Sequence, residues 1–174
     1  MRFLSSIWLI SLIIWCNLSF AEISPGPEPK ETGNLGLLIV ASETSEYIKE
    51  WLTTPSQHGV TIKRLRTAKP NQLIVAAFLV SGISANTDGN YEFSINFYLL
   101  GPDKKPIFGQ RNYAKGKGKH PSKPTYIMAD PALDIVLENS DPAGMYTIVA
   151  QVTDIVTGKK ASNSYKIKFI NNEL

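Results

Sequence analysis

The alternation of apolar and polar residues predicts a mostly β protein, an antiparallel β-sandwich with one short helix near the start of the mature domain. Between Tyr91 and Leu99 the alternation is strict, as in a strand with one buried face. Turn-forming residues recur roughly every 8–12 positions, which separates about eight or nine short strands. Only one segment, which ends before Pro55, has the residue spacing of a helix face.

The first predicted elements are a strand over 35–41 and the helix that follows it. Ser42 is placed to cap the helix, and Pro55 prevents its continuation. One helical face is formed by apolar residues with i, i+1, i+4, i+5 spacing, namely Tyr47, Ile48, Trp51 and Leu52.

The remaining predicted elements are strands. The run over 73–80 is continuously apolar, which is typical of a central strand. The segment 114–124 is predicted to be a loop because it is rich in glycine, lysine and proline. The strands are expected over 60–63, 73–80, 91–99, 107–113, 125–129, 133–137, 145–153 and 165–169.

The first 21 residues have the pattern of a cleavable secretory signal peptide. Arg2 is basic, an apolar core ends at Cys16, and Ser19 and Ala21 are the small residues that signal peptidase requires. The core of about ten apolar residues is shorter than the roughly 20 of a membrane-spanning helix. A lipoprotein anchor at Cys16 is disfavoured because the preceding Trp15 is large. We therefore expect cleavage after Ala21.

The mature chain is predicted to contain a flexible Pro/Gly-rich leader, 22–34, and one β-sandwich domain, 35–174. Cleavage would remove the only cysteine, which excludes a disulfide or a cysteine nucleophile in the mature domain. It would leave 17 Lys and Arg against 15 Asp and Glu, a balance unlike that of a nucleic-acid-binding protein. These features favour a periplasmic or secreted bacterial protein with no transmembrane segment after cleavage.

Three turn motifs, over 98–103, 138–146 and 152–159, resemble those of a group of uncharacterised exported proteins of Gram-negative bacteria. In the second motif, Tyr146 follows an Asp-Pro turn at the start of a strand. This position predicts a tyrosine corner, although a simply buried tyrosine would give the same pattern. The resemblance implies a periplasmic, immunoglobulin-like β-sandwich. It implies no catalytic residues.

No motif predicts catalysis, a metal or a cofactor. His58 and His120 are far apart in the sequence, and no G-x-S-x-G motif accompanies them. Asp134 and Glu138 would stand about 13 Å apart on a strand, whereas the carboxylates of glycosidases are roughly 5–9.5 Å apart. The run 115–120 lacks the Ser or Thr and the following helix of a phosphate-binding loop.

Basic residues are concentrated in one part of the chain. Seven occur between 104 and 129, with no acidic residue among them. The segment 111–123 is predicted to be an exposed loop that contacts an anionic surface. The alternative is a loop that its charge merely keeps soluble. The candidate binding residues are Arg111, Lys115, Lys117, Lys119 and Lys123.

Two function classes remain. The first is a non-enzymatic periplasmic binding or assembly module of the cell envelope, whose partner is an envelope protein or an anionic envelope component. The second is a small-ligand-binding protein or enzyme whose site is assembled from dispersed aromatic and acidic residues, which requires a concave pocket. The lack of catalytic motifs favours the first class.

Overall fold

The computed structural model describes residues 35–55, 58–123 and 125–171. The predicted signal peptide and leader lie outside these residues. The described elements are β1 (Gly36–Ser42), α1 (Glu46–Thr53), β2 (Thr67–Ala68), β3 (Leu73–Ser81), β4 (Asn90–Leu100), β5 (Pro106–Lys119), β6 (Ile127–Met128), β7 (Leu133–Val136), β8 (Gly144–Asp154) and β9 (Lys160–Phe169).

The strands form two sheets. In the four-stranded sheet, β3 pairs with β1 on one side and with both β6 and β7 on the other. The five-stranded sheet has the order β2-β9-β8-β4-β5. All strand pairs are antiparallel except β2 with β9, which is parallel. None of the described helices is long and apolar enough to cross a membrane.

The two sheets pack against each other through alternate side chains, which confirms the predicted β-sandwich. The immunoglobulin-like subtype stays a prediction. The alternation predicted for β4, β8 and β9 is confirmed because their apolar residues are buried in one continuous core. The principal core residues from these strands and β3 are Ile74, Ala76, Phe78, Val80, Phe93, Ile95, Phe97, Leu99, Tyr146, Ile148, Ala150, Val152, Tyr165, Ile167 and Phe169.

Strand β3 is buried on both of its faces, which explains its continuous apolar sequence. The side chains that point away from the main core form a second cluster with Tyr47 and other residues of α1. The Tyr47 hydroxyl donates a hydrogen bond to the Val75 carbonyl (3.1 Å). Burial raises the pKa of Tyr47 far above its ordinary value. Helix α1 therefore covers the outer face of the four-stranded sheet.

Three details of this region differ from the sequence prediction. Leu52, which the spacing assigns to the apolar helix face, is 72% exposed. Ser42 is the last residue of β1 and does not cap α1, which begins after Ser45. The segment 60–63 is not a strand. Ile62 packs instead with the helix against the four-stranded sheet, where its apolar side chain is sheltered without backbone pairing.

Tyrosine hydroxyls fasten connecting segments to the sandwich. The Tyr146 hydroxyl donates to the Pro142 carbonyl (2.9 Å), which confirms the predicted tyrosine corner. The Tyr165 hydroxyl donates to the Leu65 carbonyl (2.8 Å) and so ties the segment after α1 to β9. These bonds satisfy polar atoms that burial would otherwise leave without partners.

Asp154 organises the turn between β8 and β9. Its carboxylate accepts hydrogen bonds from the Thr157 hydroxyl (2.8 Å) and the Val156 amide (2.9 Å). It also accepts one from the Ser84 amide (3.2 Å), on a segment distant in sequence. Burial opposes ionisation of this carboxyl, but these hydrogen bonds outweigh it and hold its pKa below the ordinary value.

We expect Phe97→Ala to lower the free energy of unfolding by about 3–5 kcal/mol, because a fully buried ring would be replaced by a cavity. The ring contacts Tyr113, with 4.7 Å between centroids. Urea titration measures the loss. Ser94→Ala, on the opposite face of the same strand, is the control and should cost less than about 0.5 kcal/mol. Equal losses would contradict the register of β4.

We expect Asp154→Asn to destabilise the fold by about 1–3 kcal/mol at neutral pH, since charge-assisted hydrogen bonds are lost. The folded pKa lies below the unfolded value of about 3.9, so the contribution of this carboxylate is present above that pH. It disappears as the pH falls through the folded pKa. The stability difference from wild type should therefore narrow below about pH 4.

Urea titrations of both proteins between neutral and acid pH test this. The control is Asp134→Asn, because Asp134 is exposed on β7. A difference between wild type and Asp154→Asn that is constant with pH would contradict the assignment.

Candidate anion-binding surface

The predicted basic loop is largely a strand. Lys115, Lys117 and Lys119 belong to β5, a 14-residue edge strand that pairs with β4. The prediction of a loop over 114–124 is therefore wrong for residues 114–119. At Lys115 the backbone also forms an isolated bridge with Asp130, in which each amide donates to the other residue's carbonyl (2.9 Å).

The glycines of this segment serve close packing. Gly116 lies opposite Phe93 in the sheet, and a Cβ atom at this position would collide with the Phe93 ring. Gly118 lies opposite Tyr91, where a Cβ atom would make ordinary contact at 3.4 Å. Within their own segment the glycines indicate a loop, because the aromatic residues that lie over them belong to a different strand.

The alternation of β5 places three lysines on the face turned away from the core. Ala114 is buried and Gly116 faces the core, so Lys115, Lys117 and Lys119 point outward. Their backbones repeat every ~6.6 Å along the strand. We call these three residues the β5 lysine row. The backbone of the row is held in place by pairing with β4, and each ammonium group lies at the end of an exposed, flexible side chain.

Few groups neutralise the β5 lysine row. Glu92 stands across from Lys117 in the register, but the described residues show no ion pair between them. The Lys119 ammonium donates to the backbone carbonyl of Asp88 (2.9 Å). Asp130 stands across from Lys115 in the isolated bridge, again with no ion pair between the two described side chains, and both Lys115 and Lys117 are exposed.

The other two candidate residues lie apart from this row. Arg111 is exposed on β5, next to a bulge at which the register with β4 shifts. In the bulge Asn112 has a φ of 50°, and its amide donates to the Asn96 side-chain oxygen (2.7 Å). Lys123 is exposed in the connection between β5 and β6. The structure thus brings together three of the five candidates.

Sequence reasoning missed three further lysines on the same sheet face. Lys160, Lys166 and Lys168 lie on β9, where Tyr165 and Ile167 point into the core and the lysines point outward. The alternation of the last strand is the signal that could have shown their direction. It could not show that β9 and β5 belong to the same sheet.

Of the two histidines, which could have suggested catalysis, one makes a structural contact and the other is exposed. A ring nitrogen of His120 (Nε2) lies 2.9 Å from the Ile83 carbonyl and fastens the end of β5 to the segment after β3. His58 is exposed. Among the described residues, no three His, Cys, Asp or Glu side chains are grouped so that they could hold a metal ion.

No protein-family model matches the chain, and no curated protein is similar to it. Among solved structures, the chain is similar to a family 123 glycoside hydrolase from Clostridium perfringens, described in a study of glycolipid glycan hydrolysis. The identity is 12% and the TM-score is 0.39. The similarity covers 79% of this chain but only 27% of the hydrolase. A likeness this weak carries no argument about activity.

We expect Gly116→Ala to destabilise the fold by about 1–3 kcal/mol, because the new methyl group would force the buried Phe93 ring to move. Gly118→Ala is the matched control on the same strand and should change stability by less than about 0.5 kcal/mol. Thermal or urea unfolding of both variants measures the difference. Equal tolerance of the two substitutions would show that this segment does not lie under Phe93.

Proposed function

We propose that the protein is a non-enzymatic binding module of the bacterial cell envelope that binds an anionic envelope component through the β5 lysine row. The observation that supports this most directly is the row itself. Three lysines stand at a regular backbone spacing on a strand, and the two carboxylates opposite them, Glu92 and Asp130, form no ion pair with them among the described residues. The export pattern of the first 21 residues supports a location in the periplasm or outside the cell.

The rigidity of the strand favours binding. Lysines on a flexible loop would lose backbone freedom when they bind, whereas the β5 lysine row is already ordered by its pairing with β4. Its side chains remain exposed, so that each ion pair with a ligand is worth only about 0–1 kcal/mol. Binding should therefore depend on several simultaneous contacts and should weaken at high salt.

The same lysines also affect self-association, and the experiment must separate this effect from binding. Charged residues on an edge strand discourage pairing with the edge strands of other molecules. If this were their whole contribution, their removal would promote aggregation and leave the affinity for anionic surfaces unchanged.

The test is cosedimentation of the mature protein with purified cell envelope at low and high salt. We expect Lys115→Gln/Lys117→Gln to weaken binding at low salt by about tenfold, the size expected from the loss of two exposed ion pairs. The matched control is Lys49→Gln/Lys63→Gln, which removes the same charge from α1 and the segment that follows it.

Weakened binding by the β5 variant alone supports the proposal. Equal binding by both variants and wild type would overturn it, as would a lack of binding by wild type at low salt. Light scattering of the unbound proteins shows separately whether the β5 variant self-associates.

A further inference from the structure

The exposed outer face of the five-stranded sheet carries more charge than the β5 lysine row alone. We infer that this whole face binds an acidic polysaccharide chain, which lies across the strands from β5 to β9. We call it the basic sheet face and define it as the outward-pointing residues of β4, β5, β8 and β9. The inference rests on the proposed function and names its ligand class and its full extent.

The two outer faces of the sandwich differ. The outer face of the four-stranded sheet is apolar and is covered by α1. On the basic sheet face, the outward-pointing side chains are mostly polar, and no described element packs over them as α1 does over the other sheet. Because the fold does not need a covering element on this polar face, the face is available to a ligand.

The charge on this face is predominantly positive. Its outward-pointing strand residues, among those that the structure describes, include six lysines and one acidic residue, Glu92. Three lysines lie on β5 and three on β9, so they form two margins of the face. The six are Lys115, Lys117, Lys119, Lys160, Lys166 and Lys168.

The register connects the two margins at one point, and Lys166 and Lys168 lie about 20 and 26 Å further along β9. Lys115 pairs with Ser94, Ser94 with Thr153, and Thr153 with Lys160. This path crosses three strand spacings, so the two lysine backbones are about 14 Å apart. Since salt screens exposed charges over about 8–10 Å, one small anion is not held by both margins. A polymer with repeated anionic groups can contact both.

The residues between the margins favour a sugar polymer. The centre contains hydroxyl and amide groups, including Gln151, whose side-chain amide donates to the Ser162 hydroxyl (3.3 Å). Such groups both donate and accept hydrogen bonds, as sugar hydroxyls require. Tyr98 lies along the sheet over Gly109, where a Cβ atom would collide with its ring. Its half-buried ring offers a flat apolar surface to a sugar ring.

The same centre is poorly suited to a membrane surface. In the centre Val149 is only 6% exposed and Tyr98 and Leu100 are half-buried, whereas Met145, at the start of β8, is 45% exposed. Peripheral membrane binding uses apolar side chains that enter the boundary between headgroups and acyl chains. A hydroxyl-rich anionic chain is therefore the ligand class that fits both the margins and the centre.

The experiment measures calorimetric binding of the mature protein to polygalacturonate oligomers, a carboxylated polysaccharide, at low salt. The fully methyl-esterified polymer is the uncharged control, and phosphatidylglycerol vesicles are the membrane control. We expect Lys160→Gln/Lys166→Gln to weaken polygalacturonate binding by about tenfold. Lys49→Gln/Lys63→Gln should leave it unchanged. The esterified polymer should bind at least about tenfold more weakly than the acid form.

A second variant tests the centre of the face. Gln151→Ala removes no charge, and we expect it to weaken polygalacturonate binding by about threefold to tenfold through lost hydrogen bonds. The dependence of binding on salt should stay that of wild type. A surface that attracts anions only by charge would not respond to this substitution.

The outcomes separate the inference from the proposed function. Wild-type affinity of the β9 variant for polygalacturonate, or stronger binding to vesicles than to polygalacturonate, would overturn the inference. Unchanged binding by Gln151→Ala would overturn the assigned role of the centre and the ligand class with it. The proposed function would still stand if Lys115→Gln/Lys117→Gln weakened binding to envelope, and would fail with the inference if it did not.

Discussion

The packing of the two sheets through alternate side chains is the constraint on which the rest of the structure depends. Once Phe93, Ile95 and Phe97 point into the core, their neighbours on β4 must point away from it. Strands β8 and β9 are linked to β4 by a continuous register, and so is the part of β5 from Ala114 to Lys119. The inward or outward direction of the β4 side chains therefore sets that of their neighbours across the sheet. Core packing therefore decides which lysines share the outer face.

The two sheets use their outer faces differently. The outward-pointing residues of β3 are apolar and require a cover, which α1 supplies and Tyr47 fastens. The outward-pointing residues of the five-stranded sheet are mostly polar and stable in water. Only the second face can take part in binding without rearrangement of the fold. This asymmetry is why the proposed site and the helix lie on opposite sides of the sandwich.

The alternating sequence of β5 permits both close packing of aromatic rings and exposure of lysines to solvent. Its glycines allow the Phe93 and Tyr91 rings to lie close to the strand, and the lysines between them point to solvent. The bulge at Asn112 is fastened by Asn96, a residue that alternation alone assigns only to a polar face. A charged edge with a bulge also limits unwanted strand pairing. Packing, solubility and the proposed binding thus involve the same segment.

The sequence by itself determined the sandwich, the presence of helix α1 and the inward faces of β4, β8 and β9, because these follow from local periodicity. It also indicated the tyrosine corner, since the Asp-Pro turn and Tyr146 are close in the chain, but only the hydrogen bond to the Pro142 carbonyl distinguished it from a simply buried tyrosine. Local patterns could not tell that 114–119 is a strand, because the ring that explains Gly116 belongs to β4. Nor could they bring Lys160 into one row with Lys115, because only the order of strands in the sheet places residues so distant in sequence on one surface.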